Sequence, residues 1–175
     1  MIFWDTSALL KAYVEETGTK PVQTMIRQLD QRMVLTNHVA LEVLAGLARG
    51  LRAGTVTPLR LLRAPPRVPA PVQPGVQFNV FDVSASAVWG AFTLAFTHRR
   101  TSVGAMDLLH LAAALELRTR YGYQPFVVVS SDHGLLALAK ALGLETFDPE
   151  TEPLRAFMAR YRRMSRNGDG RWGTG

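Results

Sequence analysis

Short unbroken apolar runs alternate along this chain with stretches whose apolar residues recur at helical spacing. Met1 to Trp4 is apolar and is closed by Asp5, which predicts a buried strand. Asp5, Thr6 and Ser7 then offer N-cap chemistry for a helix to about Tyr13. A second helix is predicted after Gly18, with Pro21 in its first turn and Val22, Met25, Ile26 and Leu29 on one face. Met33 to Thr36 reads as a strand, and Asn37 as the cap of a helix. In that helix Val39, Val43, Leu47 and Leu51 repeat every four residues until Gly50 and Gly54 end it. Gln77 to Val83 alternates apolar with polar and reads as the third strand. Ser84 caps a helix to about Thr97, and an Ala/Leu-rich helix runs from Gly104 to about Arg120. Pro125 to Val129 is the fourth strand, and Asp132 starts a helix that ends near Gly143. Leu144 to Phe147 is the fifth strand, and Pro153 begins a last helix to about Met164. Strands alternating with helices predict a parallel sheet covered on both faces.

The pattern breaks over residues 55–76, which hold six of the ten prolines. Proline fixes φ and removes a backbone donor, so this segment is expected to be an extended surface loop, with a short helix near Leu59 to Arg63 before it. At 175 residues with 47% hydrophobic composition, the chain suits one globular domain with a real core. No run of about 18 apolar residues predicts a membrane span. The first residues do not read as a signal peptide, because Asp5 interrupts the apolar start. The chain has no cysteine, which excludes thiolate chemistry and suits a reducing, cytoplasmic location. The net charge of +6 is concentrated at one end, where residues 155–175 carry six arginines against a single acid, Asp169. Such an end can hold phosphates or can be a solvated tail.

Acids are few in the body of the chain, so their positions matter. Asp5 and Asp132 directly follow predicted strands, where ligands bind in parallel α/β sheets. Glu42 and Asp107 stand among apolar neighbours on helices otherwise built for packing. Each has a plain alternative: Asp5 and Asp132 suit N-caps, Asp107 suits a helix N-terminus, and Glu42 can point to solvent. Brought together, four carboxylates would raise one another's pKa, and a divalent cation would relieve that penalty. Oxygen donors without cysteine or an obvious histidine pair favour Mg²⁺ or Mn²⁺ over zinc. Such an ion suits phosphodiester hydrolysis.

Four segments carry a family resemblance: "IFWDTSALLKAY", "TNHVALEVLAGLAR", "AMDLLHLAAAL" and "VVVSSDHGLLALAKALGLETFDP". In this order and spacing they resemble the PIN-domain family, in the form of its VapC-like bacterial toxin ribonucleases. The resemblance spans residues 1–149 and leaves 150–175 as a C-terminal helix and a basic, disordered tail. It implies a three-layer α/β/α fold with a five-stranded parallel sheet. It also implies that Asp5, Glu42, Asp107 and Asp132 form one catalytic, metal-binding pocket for Mg²⁺ or Mn²⁺. The activity it implies is an endoribonuclease acting as the toxin of a type II toxin–antitoxin pair. RNA would be the substrate, a small antitoxin protein the partner, and the chain a homodimer.

Around this frame, Thr6, Ser7 and Ser131 are supporting candidates that can bond the acids, or simply cap helices. Arg99 and Arg100 are candidate contacts to the RNA backbone, or an ordinary solvated loop. His110 follows Asp107 by three residues and reads as a buried, satisfied histidine rather than a pocket group, and His133 as a surface residue. Trp4, Trp89 and Phe92 read as core, and Tyr13 as exposed. Three other functions stay open: a nucleic-acid-binding module of this fold without catalysis, a PIN nuclease outside toxin–antitoxin systems, and a nuclease that cuts DNA. An aspartyl phosphatase is disfavoured, because the place for its second Asp is Ser7.

Overall fold

Strand β1 (Ile2–Trp4) lies at the centre of the sheet in the computed structural model, which describes residues 1–29, 33–59, 78–99, 102–122 and 125–167. The other strands are β2 (Met33–Thr36), β3 (Phe78–Phe81), β4 (Val127–Val129) and β5 (Glu145–Phe147). All pairings are parallel, in the order β3-β2-β1-β4-β5. The helices are α1 (Thr6–Leu9), α2 (Thr19–Gln28), α3 (Asn37–Ala53), α4 (Ala85–Thr97), α5 (Ala105–Tyr121), α6 (His133–Ala141) and α7 (Leu154–Asn167). The predicted α/β/α fold is therefore present, with a five-stranded parallel sheet.

Strand alternation builds the two layers. Ile2, Trp4, Met33, Leu35, Val127 and Val129 face one side, where α1, α2, α3 and α7 bring Leu9, Ile26, Val43 and Phe157. Phe3, Val34 and Val128 face the other, against Leu94 of α4, Leu111 of α5 and Leu135 of α6. Both faces are covered, which explains why the central strands read as unbroken apolar runs. Among the described residues, no helix is long and apolar enough to cross a membrane.

Several local expectations need correction. The first helix is split, α1 giving way to a 3-10 turn at Leu10–Ala12. The cap of α3 is Thr36, whose hydroxyl accepts from the Val39 N–H. Asn37, the expected cap, instead ties α3 to the end of β3 through Asp82 and the Val83 N–H. Helix α7 runs to Asn167 rather than stopping near Met164. Tyr13 is buried, whereas Trp89 and Phe92 are exposed on α4. A ring at one helical position reads as core from composition, but the neighbour it needs is supplied only by the fold. Most of the proline-rich segment lies outside the described residues, as do the tail from 168 and all but Leu59 of the helix expected near Leu59 to Arg63.

Candidate metal centre

The chain runs from β1 outward to β3, then returns across the sheet to β4 on the other side of β1. That reversal opens a crevice at the carboxyl ends of β1 and β4, the usual ligand position in such sheets. The register pairs Trp4 with Val129. The next residue on each strand is therefore Asp5 and Ser130, side by side at the crevice. The Asp5 N–H donates to the Val129 carbonyl at 3.0 Å, which anchors the first residue past β1.

Asp5 is buried, and both its oxygens are engaged. Oδ2 accepts from Ser7 Oγ at 2.6 Å, the Ser7 N–H at 3.1 Å and Ser130 Oγ at 2.9 Å. Oδ1 lies 3.1 Å from His110 Nδ1. Burial alone would raise the Asp5 pKa. The bonds from His110, Ser7 and Ser130, with the His110 charge, outweigh burial and hold the carboxyl below its ordinary value.

Helix α5 points its N-terminal turns at the same place. Asp107 accepts from the Gly104 N–H through Oδ2 at 3.1 Å, an N-terminal cap of the kind its position predicted. Its pKa is raised by burial and by the charges of Asp5 and Asp132, against the Gly104 bond and His110. One ligand atom each from Asp5, Asp107 and His110 falls within a 4.8 Å cluster. His110 is buried between Asp5 and Glu42, with Nε2 at 3.4 Å from Glu42 Oε2. Burial would lower the imidazole pKa, but the bond to Asp5 and the charges of Asp5, Glu42 and Asp107 raise it.

Glu42, half-buried on α3, is held by Thr6, whose hydroxyl donates to Oε2 at 2.5 Å. Asp132 caps α6 by accepting from the Leu135 N–H through Oδ1 at 2.8 Å, and its own N–H donates to Ser130 Oγ at 3.0 Å. Of the four acids foreseen from the sequence, Asp5 and Asp107 fall in the cluster with His110, whereas Glu42 and Asp132 lie outside it and act on it through charge. Asp107 feels Asp5 and Asp132, and His110 joins Asp5 to Glu42.

Two sequence readings change here. His110 is buried, as expected, but it belongs to the acidic cluster. Its spacing of three from Asp107 puts both on the helix face aimed at the strand tips, and that spacing was the available signal. Of the two serines after β4, the one whose hydroxyl reaches Asp5 is Ser130, not Ser131. Ser131 Oγ is buried without a hydrogen-bond partner, while the Ser131 N–H donates to Ser7 Oγ at 2.9 Å. Neighbouring residues leave a strand on opposite sides, so only one of two adjacent serines can face Asp5. Arg99 is exposed just past α4, and Arg100 lies outside the described residues.

A separate cavity of about 1090 Å³ opens beside α6 and β5, lined in part by His133, Lys140, Glu145, Asp148, Glu152 and Arg160. There His133 pairs with Asp148 at 3.3 Å and Arg160 with Glu152 at 2.5 Å. The acidic cluster, whose ligand atoms converge within 4.8 Å, has the chemistry for a cation. Its donors fit a hard divalent ion. Two carboxylates and an imidazole already converge, and the repulsion that raises Asp107 is what a bound cation relieves.

The profile of the PIN domain family matches residues 2–141. No curated protein sequence matches the chain. Among solved structures, the chain is similar to VapC20 of Mycobacterium tuberculosis, described as a sarcin–ricin loop cleaving toxin. The two share 17% sequence identity with a TM-score of 0.56, over 79% of this chain and 95% of that one.

Proposed function

Because the chain belongs to the PIN-domain family, we propose that it is a Mg²⁺- or Mn²⁺-dependent endoribonuclease, the cytoplasmic toxin of a type II toxin–antitoxin pair. The observation that carries this reading is the convergence of Asp5, Asp107 and His110 at the carboxyl end of the central strand. The fold shared with a sarcin–ricin loop cleaving toxin supports RNA as the substrate. On this reading a small antitoxin is the partner, and the chain works as a homodimer.

Asp5, Asp107 and Asp132 would hold the cation, and Glu42 would either join them or hold water through its second oxygen. When bound, the ion would supply a Lewis acid at the scissile phosphate and a counter-charge for the acids. The remaining work belongs to the chain. Ser7, Ser130 and His110 fix the Asp5 carboxylate, so that no reorientation is needed when substrate arrives. The Thr6 hydroxyl does the same for Glu42. Capping holds Asp107 and Asp132 by one oxygen each and leaves the other for ligands.

The test is cleavage of structured RNA, with DNA as a parallel substrate, in Mg²⁺, in Mn²⁺ and in EDTA. Cutting is expected with metal and is expected to fall by at least about 100-fold in Asp5→Asn and Asp107→Asn. Equal cutting by wild type and both variants would overturn the proposal.

A further inference from the structure

Helix α7 carries a surface that the nuclease reading does not use, and it lies beyond the stretch that matches the family, which ends at residue 141. Its fourteen residues, LRAFMARYRRMSRN, hold five arginines and no acid. One face is core: Phe157, Met158 and Tyr161 are buried, with Leu154 and Met164 packed beside them. At about 100° per residue, the opposite face holds Arg155, Arg162 and Arg166 within about 40° of one another, with Arg163 next to them. All four are exposed, and among the described residues none of them pairs with an acid. The fifth, Arg160, turns to the flank and is held by Glu152.

Helix stability does not account for this stripe. Cations suit the last turn of a helix, which explains Arg163 and Arg166, but Arg155 stands in the first turn, where the dipole opposes it. Arg162 and Arg166 are four apart and repel each other along the helix. Among the described residues of this face no large apolar side chain is exposed, so it has nothing to bury in a membrane or a hydrophobic groove. What it offers is a row of positive charge. Every member is an arginine, whose planar fork matches phosphate oxygens. With a rise of about 1.5 Å per residue, Arg155 to Arg166 spans about 16 Å, the length of about five phosphates of a stacked strand. The row begins at the crevice end of the molecule. Strand β5 runs parallel to β4 and β1, so α7 starts beyond the carboxyl ends of the strands, the end at which Asp5 lies. By Tyr161, whose hydroxyl accepts from the Met1 amino group at 3.5 Å, the helix has reached the other end. The arginines thus mark a track that leads away from the crevice.

We propose that the outer face of α7 grips the sugar–phosphate backbone of the RNA substrate outside the catalytic crevice. Arg155, Arg162 and Arg166 meet phosphates along one strand, with Arg163 beside them. The contact positions the RNA and carries no base sequence. This rests on RNA being the substrate, as proposed above, and gives that substrate a minimum length, because several nucleotides must extend past the cut before the stripe contributes.

The experiment compares wild type with the triple variant Arg155→Gln, Arg162→Gln, Arg166→Gln, with circular dichroism as a check on folding. Fluorescence anisotropy in EDTA measures binding of a structured RNA of roughly 30 nucleotides and of a fragment of about 6, between about 50 and 200 mM salt. Cleavage of the long RNA in Mg²⁺ then gives kcat and KM. The variant is expected to bind the long RNA at least about 10-fold more weakly, with the slope of log affinity against log salt reduced by about 2–3. The short fragment should bind as it does to wild type, and KM should rise while kcat stays. Equal affinity and equal slope would overturn the stripe while the nuclease stands. Long-RNA binding that the variant loses, with no cutting by wild type in either metal, would overturn the nuclease and leave the stripe. A fall in kcat with KM unchanged would overturn the proposal in favour of a role inside the crevice. Binding to phosphatidylserine vesicles that the variant loses, with RNA affinity unchanged, would overturn it in favour of a membrane surface.

Discussion

Replacing Ser130 by alanine should weaken the metal-free protein well beyond what one small side chain suggests. Ser130 is fully buried. Its hydroxyl donates to Asp5 Oδ2 at 2.9 Å and accepts from the Asp132 N–H at 3.0 Å. A hydrogen bond to a buried charge contributes roughly 1.5–3 kcal/mol net, and an amide left unpaired costs about 1–3 kcal/mol more. The two losses share one network and do not simply add. Asp132 is also exposed, so water can reach its amide. The expected cost is therefore about 2–3 kcal/mol. Urea denaturation in EDTA reads this directly. With a slope near 2 kcal/mol/M, the midpoint should drop by about 1–1.5 M. Ser131→Ala is the matched control, because Ser131 Oγ has no partner to lose; its stability should stay within about 0.5 kcal/mol of wild type. Equal midpoints for the two variants would refute this account of how Asp5 is held.

Two further outcomes follow from the same structure. Asp5 is held below 3.8, so its contribution to stability is present above that pH and is lost as pH falls through its lower folded value. His110 is raised above 6.5, so its contribution is complete below 6.5 and is lost as pH rises through its folded value. Urea midpoints of the metal-free protein should accordingly fall on the alkaline side of 6.5, and His110→Gln should flatten that limb; a limb unchanged in the variant would show that another group causes it. Gly18→Ala should cost more than Gly54→Ala in thermal unfolding, about 2–3 against about 1 kcal/mol. Both glycines have positive φ, but at Gly18 a Cβ would sit 3.0 Å from Lys11 Cδ and 3.2 Å from the Pro149 backbone, while at Gly54 nothing lies within 4 Å. Equal losses in Tm would mean that backbone conformation alone sets the cost.

The order of elements, the parallel sheet and the two clustered acids, Asp5 and Asp107, can be read from the linear chain, because each is written in local signals. Unbroken apolar runs mark strands buried on both faces, and an acid directly after such a run lands at a strand tip. Asp5 is legible for that reason, and Asp107 because a charge on a packing helix is conspicuous. Pairings between distant segments leave no such mark. Ser130 outranks Ser131 only because β1 and β4 pair with Trp4 against Val129. His110 enters the cluster only because α5 directs its first turns toward Asp5 and Glu42, 105 and 68 positions earlier in the chain. Trp89 and Phe92 carry the composition of a core, yet α5 covers just one side of their helix. Periodicity reports that a residue has a face. Which neighbour meets that face is fixed by long-range packing.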